Sequence, residues 1–173
     1  MKIAMIVASK EFRDEEYFET KEILEKAGFD ISVFSDKKGI ALGKFGGEIE
    51  IKKSLEDLDV SQFDCLLFVG GSGAIECLDN LASYFLINEA KNQKKIIAAI
   101  CIAPLILVHA GILKGKKATV WSSELDKSAL KEFRKQEVKY VPEKSVVDGR
   151  IVTADGVDAI EDFCENIIKL LTF

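Results

Sequence analysis

Cys101 stands where an apolar run changes character, and this position suits a nucleophilic thiol. Before it comes IIAAI (96–100), which reads as a buried strand, and after it Ala103 and Pro104 open a helix-like segment. Free N–H groups and the dipole at a helix amino terminus stabilise negative charge, so we expect the pKa of the Cys101 thiol to be lowered. Cysteine is also a common small core residue. The junction alone leaves both interpretations open.

The three other cysteines are less suited to chemistry. Cys65 falls inside a strand-like run and Cys164 inside the last helix-like segment, so both are expected in the core. Cys77 lies in SGAIECLDN, whose turn character leaves its exposure open. No C-x-x-C pair occurs, which disfavours a disulfide framework or a zinc site. We expect reduced thiols, no metal and no cofactor.

Two further segments could complete a site around Cys101. VGGSGA (69–74) places glycines directly after another apolar strand, where backbone N–H groups can approach a ligand. The N–H groups of Gly71 and Ile102 would then form a two-donor oxyanion site. SKEFRDEEYFET (9–20) is a loop that runs into an acidic helix start, although acids in a first helical turn often serve the dipole. The two segments together with Cys101 indicate a reactive-cysteine site more strongly than either segment does by itself.

His109, the single histidine of the chain, is not expected to act on Cys101. It lies eight residues further along a helix-like segment that rises ~1.5 Å per residue, so the two residues are about 12 Å apart. We expect His109 in the core. Peptidase chemistry is therefore disfavoured, because it needs a base that activates the nucleophile and protonates an amine.

Composition and charge disfavour several classes of partner. The 173 residues are 48% hydrophobic and 31% charged, as in a globular protein, and we expect a single domain over 1–173. A net charge of -5, with basic residues spread among acids, disfavours nucleic acid. No apolar run reaches the ~18 residues of a membrane span, and MKIAMIVASKEF lacks the pattern of a signal peptide. We expect a cytoplasmic protein.

Strand-like and helix-like segments alternate along the chain. This alternation predicts an α/β fold with a mainly parallel sheet between two helical layers, which binds ligands at the carboxyl ends of its strands. GIALGKFGGEIEI (39–51) predicts a hairpin appended to the sheet. The expected strands are 3–9, 31–36, 65–70, 96–100, 117–121 and a pair within 145–154, and the expected helices are 15–28, 78–93, a short one closed by Gly111, 125–136 and 158–171.

The segment AAICIAPLILVHAGILKGKKAT (98–119) resembles the nucleophile segment of the ThiJ/PfpI superfamily. The similarity continues through FDCLLFVGG (63–71) and VVDGRIVTA (146–154), so it covers essentially the whole chain. It implies a flavodoxin-like three-layer sandwich that forms homodimers or larger oligomers. It also implies that the reactive cysteine is hydrogen-bonded to an acid, and counting back from the helix-ending Gly28 places that acid at Glu16.

The resemblance implies that Glu16 acts on the proton of Cys101, and residues that differ from the family pattern limit which reactions are expected. A protonated carboxyl can donate a hydrogen bond to a thiolate, whereas an ionised one repels it, so Glu16 is expected to carry the proton of a coupled pair with Cys101. The protease-like branch has a histidine where this chain has Ile102, and the glyoxalase-like branch has one where this chain has Trp121. Relatives often carry arginine at the position of Asp155, which disfavours an anionic substrate there.

Two classes of function follow from the resemblance. In the first, Cys101 attacks a small electrophile such as an α-oxoaldehyde, Glu16 moves the proton, and the amides of Gly71 and Ile102 hold the oxyanion in a glyoxalase-like or deglycase-like reaction. In the second, Cys101 is a redox-sensitive thiol in a stress-response or chaperone-like protein, and its partner is a small oxidant. The family favours the first class, and the missing histidines favour the second.

A homo-oligomer is the assembly that the resemblance implies. Family members pair through the acid loop and the helix that follows it. Tyr17 and Phe18, beside Glu16, could be covered by a partner subunit or could pack within the monomer, and the sequence leaves both open.

Overall fold

The computed structural model of the protein describes residues 1–172 and shows the predicted α/β sandwich. None of the helices within this range has the length and apolar character of a membrane span. In chain order the elements are β1 (Lys2–Ile6), β2 (Lys10–Phe12), α1 (Asp14–Lys26), β3 (Asp30–Phe34), β4 (Gly39–Gly43), β5 (Glu48–Ile51), β6 (Cys65–Phe68), α2 (Leu81–Asn92), β7 (Ile96–Ile100), α3 (Pro104–His109), β8 (Lys117–Ala118), α4 (Ser128–Lys135), β9 (Lys139–Tyr140), β10 (Ser145–Asp148), β11 (Ile151–Ala154) and α5 (Ile160–Thr172).

Six strands form the central sheet in the order β10-β11-β7-β6-β1-β3. Neighbouring strands run parallel except β10 and β11, which form an antiparallel hairpin. Side chains alternate between the faces, so Ile3 and Met5 of β1 pack with α1 and α5, whereas Ala4 and Ile6 pack with α2, α3 and α4. Both faces are covered, which is why the strands are nearly continuous apolar runs. The mainly parallel sheet and its two helical layers are confirmed.

The predicted hairpin at 39–51 is present as β4 and β5, but it does not join the central sheet. β4 pairs in parallel with β2, which gives a separate three-stranded sheet in the order β2-β4-β5. The hairpin turn is tied to the start of α1, because the Asp14 carboxylate accepts the N–H groups of Phe45 at 2.8 Å and Gly47 at 2.6 Å. The small sheet is therefore anchored to the end of α1 that carries Glu16.

The predicted strand at 117–121 is wrong beyond Ala118. Only Lys117 and Ala118 form β8, which pairs with β9 in a two-stranded sheet. The Thr119 N–H donates to the Thr153 hydroxyl at 2.9 Å, and the Trp121 N–H donates to the Cys101 carbonyl at 2.8 Å. Because these N–H groups donate to a side-chain hydroxyl and to a turn carbonyl, the hydrogen bonds of β8 do not continue past Ala118. The next helix, α4, begins at Ser128.

His109 lies at the surface, so its predicted place in the core is wrong. Its Nδ1 is 2.7 Å from Asp79 Oδ2 and its Nε2 is 3.7 Å from Glu132 Oε1. The two carboxylates belong to segments outside α3 and hold the ring outward, although its sequence neighbours are apolar. The prediction failed because these partners are distant in sequence.

The turn after β6 packs on the backbone of β2, and this contact requires glycine at position 73. A Cβ at Gly73 would lie 1.7 Å from the Lys10 carbonyl oxygen, a backbone atom that cannot rotate away. We expect Gly73→Ala to lower the free energy of unfolding by roughly 1–3 kcal/mol, because the backbone must shift. Urea denaturation measures this change. Ser72→Ala, at the exposed neighbouring position, should stay within about 0.5 kcal/mol, and equal effects of the two variants would contradict the close contact.

Candidate active site

Cys101 occupies a sharp turn between β7 and α3. Its backbone φ of 62° lies in the left-handed region, which costs a residue other than glycine about 1–3 kcal/mol. The Cys101 N–H donates to the Ala154 carbonyl at 2.9 Å, and its own carbonyl accepts the Trp121 N–H. Because α3 begins only at Pro104, the thiol lies before the first turn of the helix rather than within it.

Two backbone N–H groups, those of Gly71 and Ile102, face the Cys101 sulfur and act to lower the pKa of its thiol. They are the pair predicted from the sequence as oxyanion donors, and the fold brings them together at the thiol. Gly71 has a φ of 101°, and a Cβ there would lie 2.4 Å from the Glu11 carbonyl oxygen, so this donor can be presented only by glycine. Their action on an oxyanion stays a prediction.

Glu16 is buried beside Cys101, with 1% of its surface exposed. Its Oε2 accepts the Gly70 N–H at 3.0 Å, and its carboxyl is a hydrogen-bonding neighbour of the thiol. The first turn of α1 is held here because the Arg13 N–H donates to the Gly70 carbonyl at 3.1 Å. A Cβ on Gly70 would lie 2.5 Å from Glu16 Oε2 and 2.6 Å from the Cys101 Cβ. Glycine at this position therefore lets the acid approach the thiol.

The two titratable groups of the site depend on each other. Burial raises the pKa of Glu16 to about 7, although hydrogen bonds with Cys101 and Gly70 oppose the rise. Burial also raises the pKa of the Cys101 thiol, and an ionised Glu16 raises it further, by more than the two amides lower it. The predicted lowering of this pKa is therefore wrong. A protonated Glu16 would instead remove the repulsion and donate to the sulfur, so a thiolate requires that the pair keep one proton.

Two cavities meet at Cys101, and Arg13 and Trp121 line both. The first has a volume of about 240 Å³ and is named the acidic cavity after its three carboxyl side chains, those of Glu16, Asp155 and Asp158. The second has a volume of about 290 Å³ and contains both oxyanion candidates together with the polar side chains of Lys44, Ser72 and Asp126. A small molecule can therefore reach the sulfur either beside mainly acidic side chains or beside side chains of both charges.

The remaining cysteines lie largely as the sequence predicted. Cys65 and Cys164 are fully buried, and burial raises the pKa of both thiols, that of Cys164 to about 12. Cys77 is half-buried in the helical turn Ala74–Leu78. Within residues 1–172, no group of three or more His, Cys, Asp or Glu side chains is arranged to hold a metal ion.

Sequence reasoning missed Arg13 and Asp158, which line the site. The Arg13 Nε lies 2.8 Å from Glu15 Oε2, and its guanidinium lies 4.6 Å from the centre of the Phe45 ring. The signals were weak but present. Arg13 directly precedes the acidic start of α1, and Asp158 lies in the helical turn Val157–Ala159, three residues after Asp155.

Small alkylating reagents should distinguish the four thiols. At pH 7 we expect iodoacetamide to label Cys101 before Cys77, because a protonated Glu16 and the amides of Gly71 and Ile102 then together stabilise negative charge on the first sulfur. Cys65 and Cys164 should stay unlabelled until the protein unfolds. Mass spectrometry of partly labelled peptides gives the order, and Cys101→Ser should leave the rate at Cys77 unchanged. Earlier labelling of Cys77 would contradict the assignment.

Known proteins resemble this chain over nearly its whole length. The sequence model of the DJ-1/PfpI family matches residues 1–170. An uncharacterized protein of Methanocaldococcus jannaschii is 36% identical over 98% of this chain and 82% of the relative, and the deglycase PfpI of Pyrococcus furiosus is 26% identical over 99% of both. The crystal structure of a ThiJ/PfpI domain protein from Brachyspira murdochii has a TM-score of 0.91 and 32% identity, over 98% of this chain and 95% of that one. The flavodoxin-like fold is thereby confirmed.

Proposed function

The chain belongs to the DJ-1/PfpI family, and we propose that it uses Cys101 as a nucleophile, with Glu16 as proton donor, on small electrophiles such as α-oxoaldehydes. The observation that carries this proposal is the convergence of one buried carboxyl and two backbone N–H groups on a single sulfur. The name of the Pyrococcus furiosus relative, a deglycase, supports the same class of chemistry. The reaction is of the glyoxalase or deglycase type.

The reaction begins with the pair in its thiolate and carboxylic acid form. The sulfur of Cys101 attacks the aldehyde carbon, and the carbonyl π electrons move to the oxygen, which takes the Glu16 proton while the Gly71 and Ile102 amides hold it. The ionised Glu16 then removes the C–H proton of this hemithioacetal, which gives an enediolate. The hydroxyl proton passes to the oxygen of the neighbouring carbon, and Glu16 returns its proton to that carbon. The resulting thioester is cleaved by water, which releases an α-hydroxy acid and the free thiol.

Multiple turnover of methylglyoxal tests this proposal. Wild-type protein should produce lactate in molar excess over Cys101, because hydrolysis of the thioester regenerates the thiol. Proton NMR follows the product, with protein-free buffer as the control. A single equivalent of adduct on Cys101 without lactate would contradict turnover.

A redox-sensitive thiol is the second candidate, and the position of the histidine favours it. His109 lines neither cavity at Cys101 and is bound to Asp79, so the site has no imidazole base. In this case the sulfur attacks a peroxide oxygen, the O–O bond breaks and water leaves, and a second peroxide converts the sulfenic acid to a sulfinic acid. The two amides and Glu16 would hold the added oxygens. Mass spectrometry should then show two added oxygens on Cys101 in a protein without turnover.

Members of the family are often homo-oligomeric, and the surface beside α1 supports this assembly here. Tyr17 is buried within the chain, with its ring centre 5.5 Å from that of Phe12. Phe18 and Phe45 remain 43% and 62% exposed. We expect sedimentation to show a dimer at micromolar concentration and Phe18→Glu to weaken it, because a charge replaces apolar surface. Phe85→Glu, at a position on α2 that is 69% exposed, is the control, and a monomeric wild type would contradict the assignment.

A further inference from the structure

The acidic cavity carries negative charge that the protein leaves unpaired. Within residues 1–172, the carboxylates of Asp155 and Asp158 form no ion pair and accept no side-chain hydrogen bond. Lys144 lowers the pKa of Asp155 without reaching it as an ion-pair partner, and burial still raises that pKa overall. Two carboxylates beside a cleft of about 240 Å³ therefore lack a counter-charge.

Arg13, the one basic residue within 1–172 that lines the acidic cavity, already has a carboxylate partner of its own. Its guanidinium lines the same cavity, but its Nε is 2.8 Å from the Glu15 carboxylate and its plane is held against Phe45. Glu15 therefore offsets part of the Arg13 charge, whereas Asp155 and Asp158 have no ion-pair partner among the described residues.

Two independent features of the cavity also fit a cation. The Trp121 indole lines it, and an aromatic ring together with carboxylates is a recurring environment for ammonium groups. Glu16, although 1% exposed, also lines the cavity, and its Oε1 accepts no N–H or O–H from the described residues. Apart from the Cys101 thiol, which is a weak donor, nothing in the described residues satisfies this oxygen, so it can accept a hydrogen bond from a ligand.

We infer that the acidic cavity binds a cationic group, an ammonium or guanidinium, on the molecule whose carbonyl reacts with Cys101. Asp155 and Asp158 supply the charge and Trp121 the aromatic surface. The inference rests on the proposed function for the carbonyl, but the charge preference of the cavity is a separate property. Aldehydes or α-oxoaldehydes that carry a positive substituent are thereby the preferred substrates, ahead of neutral ones such as methylglyoxal.

Thiol-directed probes of opposite charge test this preference without any turnover. In a Cys77→Ser background, Cys101 is treated with trimethylammonioethyl, sulfonatoethyl or methyl methanethiosulfonate, which are cationic, anionic and neutral. In each case the thiolate attacks the reagent sulfur, a disulfide forms and methanesulfinate leaves. Mass spectrometry gives the three rates, and each is divided by the rate of a small free thiol. We expect the cationic probe to react about tenfold faster than the anionic one at low salt, and less selectively at high salt.

Charge-removing variants identify the source of the preference. Asp155→Asn and Asp158→Asn, singly and together, keep the side-chain shape and should bring the ratio below about threefold. Asp30→Asn is the matched control, because it removes one charge at the opposite edge of the sheet and should retain the ratio. An unchanged ratio in the double variant, or equal rates of the charged probes in the wild type, would overturn the inference. Selective labelling without lactate production would refute the proposed function alone.

Discussion

Cys101→Ser is expected to reduce turnover of α-oxoaldehydes by a factor on the order of 10³ or more. The serine hydroxyl is far less acidic than a thiol, and the site offers no imidazole that could activate it. The substitution keeps the size and the turn, so the fold and both cavities should persist. Steady-state production of lactate, measured over several methylglyoxal concentrations, gives kcat/KM for each protein.

Two further variants make the test of Cys101 specific. Cys77→Ser and His109→Gln change the other half-buried thiol and the one histidine, and neither residue lines a cavity at the site. Both variants should keep kcat/KM within about twofold of the wild type. Comparable turnover by Cys101→Ser, or a large loss in either control, would show that the nucleophile lies elsewhere.

Glu16→Gln is expected to remove a pH dependence of stability of about 3 kcal/mol. Glu16 ionises at a pKa of about 7 in the folded protein, compared with its ordinary value of 4.5, because its carboxyl is buried. The folded state therefore holds a proton that the unfolded state releases. The associated stability is fully present below about pH 4.5 and is lost as the pH rises to about 7, where folding must bury a charge.

Urea denaturation of the wild type and Glu16→Gln at pH 4, 6 and 8 measures this linkage. The difference in unfolding free energy between the two proteins should move by about 3 kcal/mol in favour of the variant as the pH rises. Glu19→Gln is the matched control, because Glu19 is exposed on the same helix, and its difference should not follow this window. A difference for Glu16→Gln that does not change with pH would mean that the carboxyl is not a buried acid.

Much of the fold could be predicted because its strands are buried on both faces and stand out as apolar runs. The ends of these apolar runs also located the turn at Cys101 and the glycines after β6. Because parallel strands end at the same edge of the sheet, the sequence predicted that these two segments lie close together. The choice of Glu16 needed the family resemblance. The chain itself held a further signal, because Glu16, Thr20 and Leu24 are buried at a spacing of four along one face of α1.

Other parts of the site depend on contacts that no local pattern encodes. Residues 119–121 have strand composition, but the N–H groups of Thr119 and Trp121 donate to the Thr153 hydroxyl and the Cys101 carbonyl instead of to the backbone of a neighbouring strand. The outward position of His109 likewise depends on Asp79 and Glu132, far along the chain. The raised pKa of the thiol follows from its burial, which becomes visible only when the sheet and helices are assembled.

The two backbone hydrogen bonds of the Cys101 turn set the order in which the site can form during synthesis. The turn is completed by Trp121 and by Ala154 at the end of β11, so the segments that define it are spread over most of the chain. A nascent chain can pair β1, β3, β6 and β7 early, but the left-handed turn lacks its partner until β11 emerges and docks beside β7. The thiol should therefore acquire its distinctive reactivity late in folding, and ribosome-bound chains that end before Ala154 should expose an ordinary cysteine.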